Sequence, residues 1–196
     1  MKLRAWFRGA AFVAAAVLTG SQVLSQDKGA KGGEDEEARI KAMLEMAAPG
    51  TFHDYLKPLA GSWKCSVKYW SAPGTKPHES TATMEKKWIL GGRFLTEEFK
   101  GTIFNDVPFA VFGIMGYDKT QKKYFAIHMD TTGTGFDTSF GTCDASCKVF
   151  TFPGDKESDP WSTLEIVNND KNIAKGFGKG PDGKAWMFLE IVATRK

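Results

Sequence analysis

Histidine is scarce in this chain, and the three present, His53, His78 and His128, have no paired spacing. That removes the usual donor set of a zinc or transition-metal site, and no metal is expected. Cysteine is as sparse: Cys65, Cys143 and Cys147 are the whole supply. There is no Gly-x-Ser-x-Gly elbow and no evident nucleophile–base pairing, so nothing in the sequence argues for a catalytic residue. Gly176-Phe177-Gly178-Lys179-Gly180 has the composition of a phosphate loop. It runs into Pro181-Asp182-Gly183 instead of a helix N-terminus, so it reads as a strand entering a turn.

A surplus of one charge is also missing once the ends are read. Lys2, Arg4 and Arg8 precede the short apolar stretch 10–18, and Val23-Leu24-Ser25 offers a cleavage site, so residues 1–25 read as a signal peptide. The apolar stretch is too short for a comfortable anchor, and no other run is long enough to span a bilayer. No cysteine follows it, which argues against a lipoprotein, and Arg4 and Arg8 are not adjacent as twin-arginine export requires. Removing the signal takes the 26 basic residues down to 23, equal to the 23 acidic ones. A neutral mature chain lacks the basic stripe of a nucleic-acid binder. It is expected outside the cytoplasm, periplasmic or extracellular, without stable membrane insertion.

Residues 26–36 are glycine-rich and charged, the composition of a flexible tether. Residues 37–196 make up one domain's worth of chain, with Trp63, Trp70, Trp88, Trp161 and Trp186 available for its core. Cys143 and Cys147 bracket Asp144-Ala145-Ser146 between two strand-like runs, which brings them within reach of a disulfide that an oxidising compartment favours. Cys65 is left as a buried, inert thiol.

Ile40, Met43, Leu44 and Ala47 recur at helical spacing, which predicts a helix over 36–47 ended by Pro49-Gly50. A short helical turn is expected over 51–59. From there the period is two. In Trp63-Lys64-Cys65-Ser66-Val67-Lys68-Tyr69, Trp63, Cys65, Val67 and Tyr69 share one face. Strands are expected over 62–70, 80–90, 93–101, 108–117, 122–130, 136–143, 147–152, 161–167, 173–179 and 185–194, with turn residues such as Ala72-Pro73-Gly74, Gly91-Gly92 and Asn168-Asn169-Asp170 between them. The fold class is therefore all-β: an antiparallel up-and-down barrel of about ten strands with a short N-terminal helix. A sandwich is the rival, but closure manages so many strand edges better.

Gly61-Ser62-Trp63 on the first strand and Arg195 on the last resemble the calycin barrels, the lipocalins and fatty-acid-binding proteins. Further blocks occur in order: Ala48-Pro49-Gly50-Thr51-Phe52-His53, Trp70-Ser71-Ala72-Pro73-Gly74, Leu90-Gly91-Gly92-Arg93-Phe94-Leu95, Gly113-Ile114-Met115-Gly116-Tyr117-Asp118, Lys122-Lys123-Tyr124 and Asp182-Gly183-Lys184. Across about Met43–Arg195 the chain resembles the bacterial domain-of-unknown-function family 1579. That resemblance implies a calycin-like barrel in which Gly61, Trp63 and Arg195 are structural, with the arginine lying across the tryptophan to seal one end. Haem-binding barrels of the nitrobindin type carry a histidine near the end of the barrel sequence. None follows His128 here, and no cofactor is expected.

The candidate ligand-binding residues are Trp63, Tyr69, Arg93 and His128. Arg93 shares a strand face with Leu95, Glu97 and Phe99. Turned inward, it could hold a ligand carboxylate through its planar fork or pair with Glu97; otherwise it sits on the rim after Gly91-Gly92. Around His128 the more apolar face is Phe125, Ile127 and Met129, which would turn Tyr124, His128 and Asp130 to water. The opposite phase would place His128 in the lumen. The expected function is sequestration of a small apolar or amphipathic molecule. The rivals are a solid barrel acting as a protein-interaction domain and an enzyme on a small lipophilic substrate.

Overall fold

The computed structural model describes residues 29–103, 107–157 and 159–196. The expected signal peptide over 1–25, and residues 26–28 of the tether, lie outside the described residues. Contacts divide the chain into two compact units, the first ending at Ala47 and the second covering Ala48–Lys196.

In the first unit, helix α1 spans Gly29–Ala47. It begins before the expected start at residue 36, so much of the stretch with a tether's composition is helical. Once a turn is nucleated, each further residue adds a hydrogen bond at little cost, which lets a helix extend into a weakly predisposed segment. Its apolar positions Ile40, Met43 and Leu44 are exposed. Among the described residues no helix is long and apolar enough to cross a membrane.

The second unit opens with helix α2 (Thr51–Asp54) and a 3-10 turn, Lys57–Leu59. The Gly50 N–H donates to His53 Nδ1 at 3.2 Å, tying off the start of α2. Leu56 and Leu59 are fully buried, so this segment acts as a plug at one end of the unit.

The rest of the unit is ten strands: β1 (Gly61–Tyr69), β2 (His78–Ile89), β3 (Phe94–Ile103), β4 (Val107–Asp118), β5 (Lys123–Asp130), β6 (Asp137–Cys143), β7 (Val149–Phe152), β8 (Trp161–Asn168), β9 (Lys171–Lys179) and β10 (Ala185–Arg195). Each pairs with its sequence neighbours, and β1 pairs with β10 to close the barrel. The up-and-down barrel read from the turn signals is the fold, and closure leaves no sheet edge.

The register fixes which residues face inward. Trp63 pairs with Arg195 and Met84, and Cys65 with Ala193 and Ala82. Trp63, Cys65 and Val67 are buried, as β1's alternation requires. Toward the plugged end, Leu56, Leu59, Leu95, Tyr124, Phe150, Phe152, Leu164 and Ile166 form one core cluster. Trp63, Cys65, Met84, Phe99 and Ala193 belong to a second.

On β5 the phase is the reverse of the one its apolar content favours. Tyr124 and Ala126 are buried, which turns Phe125, Ile127 and Met129 to the outer wall and His128 to the inner face. Tyr124 decides the matter. Its ring packs edge-on against Tyr117 and Phe150, and its hydroxyl donates to the Phe52 carbonyl at 3.0 Å. No outward position could supply those partners.

Cys143 and Cys147 are joined in a disulfide across the turn between β6 and β7, with Cα atoms 4.8 Å apart. The Asp144 carboxylate shapes that turn by accepting from the Lys148 and Val149 N–H groups and from Ser146 Oγ.

Candidate functional site

The lumen is sealed at the plugged end. Trp63 Nε1 donates to the Leu59 carbonyl at 3.0 Å, and the Arg195 guanidinium lies over the indole, 4.4 Å from its centre. Arg195 Nη1 donates to the Ala60 carbonyl at 3.0 Å and Nη2 to that of Pro58 at 2.9 Å. Nε donates to the Asn169 carbonyl at 2.8 Å and lies 3.2 Å from Asp170 Oδ1. Gly61, with φ at +129°, lies directly beneath the guanidinium, where a side chain would collide with Nη1. Backbone conformation and space both demand glycine there.

On β2 the inward position next after Met84, toward the plugged end, is polar: Lys86 stands opposite Gly61 as Met84 stands opposite Trp63. Lys86 and Glu97 are register partners on β2 and β3, and Lys86 Nζ lies 2.7 Å from Glu97 Oε2. Lys86 is buried and Glu97 nearly so. Burial opposes ionisation of Glu97. The adjacent Lys86 ammonium outweighs it through charge and hydrogen bonding, and His128 adds its field, so the carboxyl sits below the usual glutamate range.

Next along this row come Gly113 and His128, then Asp137 on β6. A Cβ at Gly113 would come within 2.9 Å of His128 Cδ2, so the glycine makes room for the imidazole. His128 is exposed through the open end of the barrel.

Asn172, inward on β9 between Ile166 and Ala193, is 2% exposed. Among the described residues its Nδ2 is a buried side-chain donor with no hydrogen-bond partner. Cys65 lies on the same inner wall, and burial pushes its thiol up to about 11, with the Glu97 charge adding to the effect. It is therefore a neutral thiol at ordinary pH, not a nucleophile.

Arg93 does not join this group. It stands in the turn before β3, with Nη1 donating to the Leu90 carbonyl at 3.0 Å. Glu97 takes Lys86 instead, because Arg93 precedes the point where the strand's alternation begins. Tyr69 ends β1 opposite Leu189 and His78, half-buried at the open end. Lys86 and Asn172, which lie on different levels of the inner wall, escape a reading of the sequence for site residues, while Glu97 enters it only as a possible partner of Arg93. A signal exists for Lys86, which alternates with Met84 and Trp88 and so shares their inward face.

Toward the open end the wall is apolar and half-buried: Val111 and Phe109 on β4, Ile191 and Leu189 on β10. Inner-wall residues can be exposed only through the mouth, so solvent enters this half of the lumen. Two clefts lie elsewhere. One of about 260 Å³ at the plugged end is lined by Pro49, His53, Asp54, Lys57, Trp88, Gly91 and Gly92. Burial lowers the pKa of His53 there, and the positive charges of Lys119 and Arg93 act in the same direction. The other, about 270 Å³, is a groove on the outer wall between Glu98, Phe112 and Met129. Phe112, Met129 and Phe140 are all exposed on that wall. Among the described residues no group of three or more histidine, cysteine or acidic side chains could hold a metal ion.

A closed ten-stranded antiparallel barrel, plugged at one end and sealed by arginine over tryptophan, places the chain among calycin-like barrels. More narrowly, it belongs to the DUF1579 family of proteins of unknown function, whose sequence pattern matches residues 48–195. Among solved structures it is similar to Rv2717c from M. tuberculosis, with a TM-score of 0.53 and 15% identity over 76% of this chain and 99% of that one. At that identity the likeness is one of fold. A redesigned β-barrel aligns with a TM-score of 0.39 and 13% identity over 72% of this chain and 95% of its own. Among curated proteins no sequence matches.

Proposed function

We propose that this protein is an exported carrier that holds a small apolar or amphipathic molecule in the open half of its lumen. The observation that supports this most directly is the half-buried apolar wall of Phe109, Val111, Leu189 and Ile191, which leads from the mouth to a buried polar row. Apolar walls supply burial at about 25 cal/mol per Å² removed from water, and a few polar groups orient the guest. Export rests on the N-terminal pattern and agrees with the Cys143–Cys147 disulfide. N-terminal sequencing of protein from the cell envelope should begin at Gln26, and a start at Met1 would refute cleavage.

Fluorescence titration with 1-anilinonaphthalene-8-sulfonate tests the lumen. Val111→Trp, which fills it, should abolish enhancement while the circular-dichroism melt stays cooperative. Phe112→Ser, on the outer wall, should leave it unchanged. The reverse pattern would sink the carrier reading.

A second reading, an interaction domain, draws on that outer wall. Phe112, Met129 and Phe140 expose apolar surface on neighbouring strands, and no charged residue stands between them. Light scattering coupled to size exclusion would favour it if the wild-type chain associates and Phe112→Ser does not.

A further inference from the structure

The cleft at the plugged end lies outside the lumen and is independent of the carrier reading. About 260 Å³ in volume, it is walled by Pro49, His53, Trp88, Gly91 and Gly92, with Asp54 and Lys57 beside them. Leu90, Gly91 and Gly92 all stand at positive φ, and a Cβ on Gly92 would come to 3.8 Å from the Pro49 ring. An indole, a proline ring and two glycines make flat apolar walls, which suit an aromatic guest. The volume is below the roughly 300 Å³ at which pockets for drug-sized molecules begin, so the guest is about one ring in size.

His53 is the polar group built into this cleft. It is 6% exposed, and its ring packs edge-on to Tyr117 with centroids 6.0 Å apart. The Gly50 N–H donates to Nδ1, which puts the neutral ring's own proton on Nε2. Among the described residues that is the one hydrogen bond His53 makes. Asn172 Nδ2 is the one unbonded side-chain atom there that is wholly enclosed, so Nε2, unbonded but not enclosed, opens on the cleft. A buried donor without an acceptor is costly until water or a ligand supplies one.

The surrounding charge favours an anion as that acceptor. Burial lowers the pKa of His53 most, and the positive charges of Lys119 and Arg93 push it the same way. Asp54 opposes them, but Lys57 holds its carboxylate at 2.8 Å. The ring is thus neutral at ordinary pH and stands in a positive field.

We propose that this cleft is a binding site for a small aromatic carboxylate. A carboxylate oxygen accepts from His53 Nε2–H, and the ring lies between Trp88 and the Gly91–Gly92 turn.

The test is an NMR titration of the full mature chain at pH 7.5 with benzoate and with benzamide, its neutral counterpart. Benzoate should move the His53 Nε2 resonance and bind about fivefold more tightly than benzamide. His53→Asn keeps an acceptor for the Gly50 N–H but stops short of the cleft. It should weaken benzoate about tenfold, read from the Gly91 and Gly92 amide shifts. His53→Gln, whose longer amide still donates, should restore part of that loss. Val111→Trp, which fills the lumen, should leave benzoate binding unchanged. A His53 resonance that stays still in the unsubstituted chain overturns the site, whether or not the variants fold. Undiminished binding by a folded His53→Asn overturns the role of His53, and equal binding of benzamide overturns the choice of an anion. Loss of benzoate binding in Val111→Trp puts the guest in the lumen, which overturns this site and supports the carrier reading.

Discussion

Arg195 grips the chain on both sides of Trp63: it covers the indole at 4.4 Å and donates to the carbonyls of Pro58 and Ala60, just ahead of β1. The first strand, the plug and the last strand therefore meet at one side chain. Replacing it with methionine would keep the apolar stem and leave those carbonyls without their donor. Arg195→Met should cost about 2–4 kcal/mol of stability, judged from lost charged hydrogen bonds and a cation–π contact. Arg195→Lys should recover only part, because an ammonium lacks the fork. Urea denaturation of the three proteins measures both.

Gly61 is the neighbour that makes this grip possible. Its φ of +129° is strained for any side chain, and a Cβ would strike the guanidinium. Gly61→Ala should lose about 1–3 kcal/mol. Combined with Arg195→Met, the loss should be less than additive, since the clash disappears with the arginine.

The Lys86–Glu97 pair makes a sharper case. Lys86→Met leaves a buried carboxylate alone and should cost about 3–5 kcal/mol, whereas Lys86→Met with Glu97→Leu should recover most of that. Thermal melts at neutral pH distinguish the two. A double variant no better than the single one would show that the pair contributes net stability.

His53 provides a pH signature. Its pKa is lowered in the fold, so between the folded value and about 6.5 the unfolded chain binds more protons. The stability it contributes is complete above that upper value and is lost as the pH falls through the window. His53→Gln should flatten the stability–pH curve just below pH 6.5 and leave the more acidic carboxylate region in place. Denaturant midpoints at half-unit pH steps would reveal it.

Strand positions are legible in the sequence because period-two alternation and turn residues are local signals. All ten strands fall close to where those signals put them. The inner polar positions are harder to see, for reasons visible at particular residues. On β5 the outer wall is more apolar than the inner, so a rule that sends the apolar face inward inverts Tyr124 and His128. Strand β9 begins at Lys171, ahead of the expected Ile173, and Asn172 therefore falls where the turn signals predict a loop. Arg93 belongs by alternation to a strand that starts one residue later. Each difference concerns the direction of a single side chain, which depends on partners far away in sequence.

The seam between β1 and β10 also governs how the barrel comes into being. Ala60 and Arg195, joined there, are 135 residues apart along the chain, whereas the other strand pairs join sequence neighbours. Hairpins can form as each turn appears, but the ring cannot shut until β10 has been synthesised, and bringing such distant segments together carries an entropic penalty. Until then β1 waits with one row of backbone donors and acceptors unpaired, an open template for any other strand in the vicinity. Ring closure should therefore be the last and slowest event of folding, and the nascent barrel is most vulnerable to aggregation just before it.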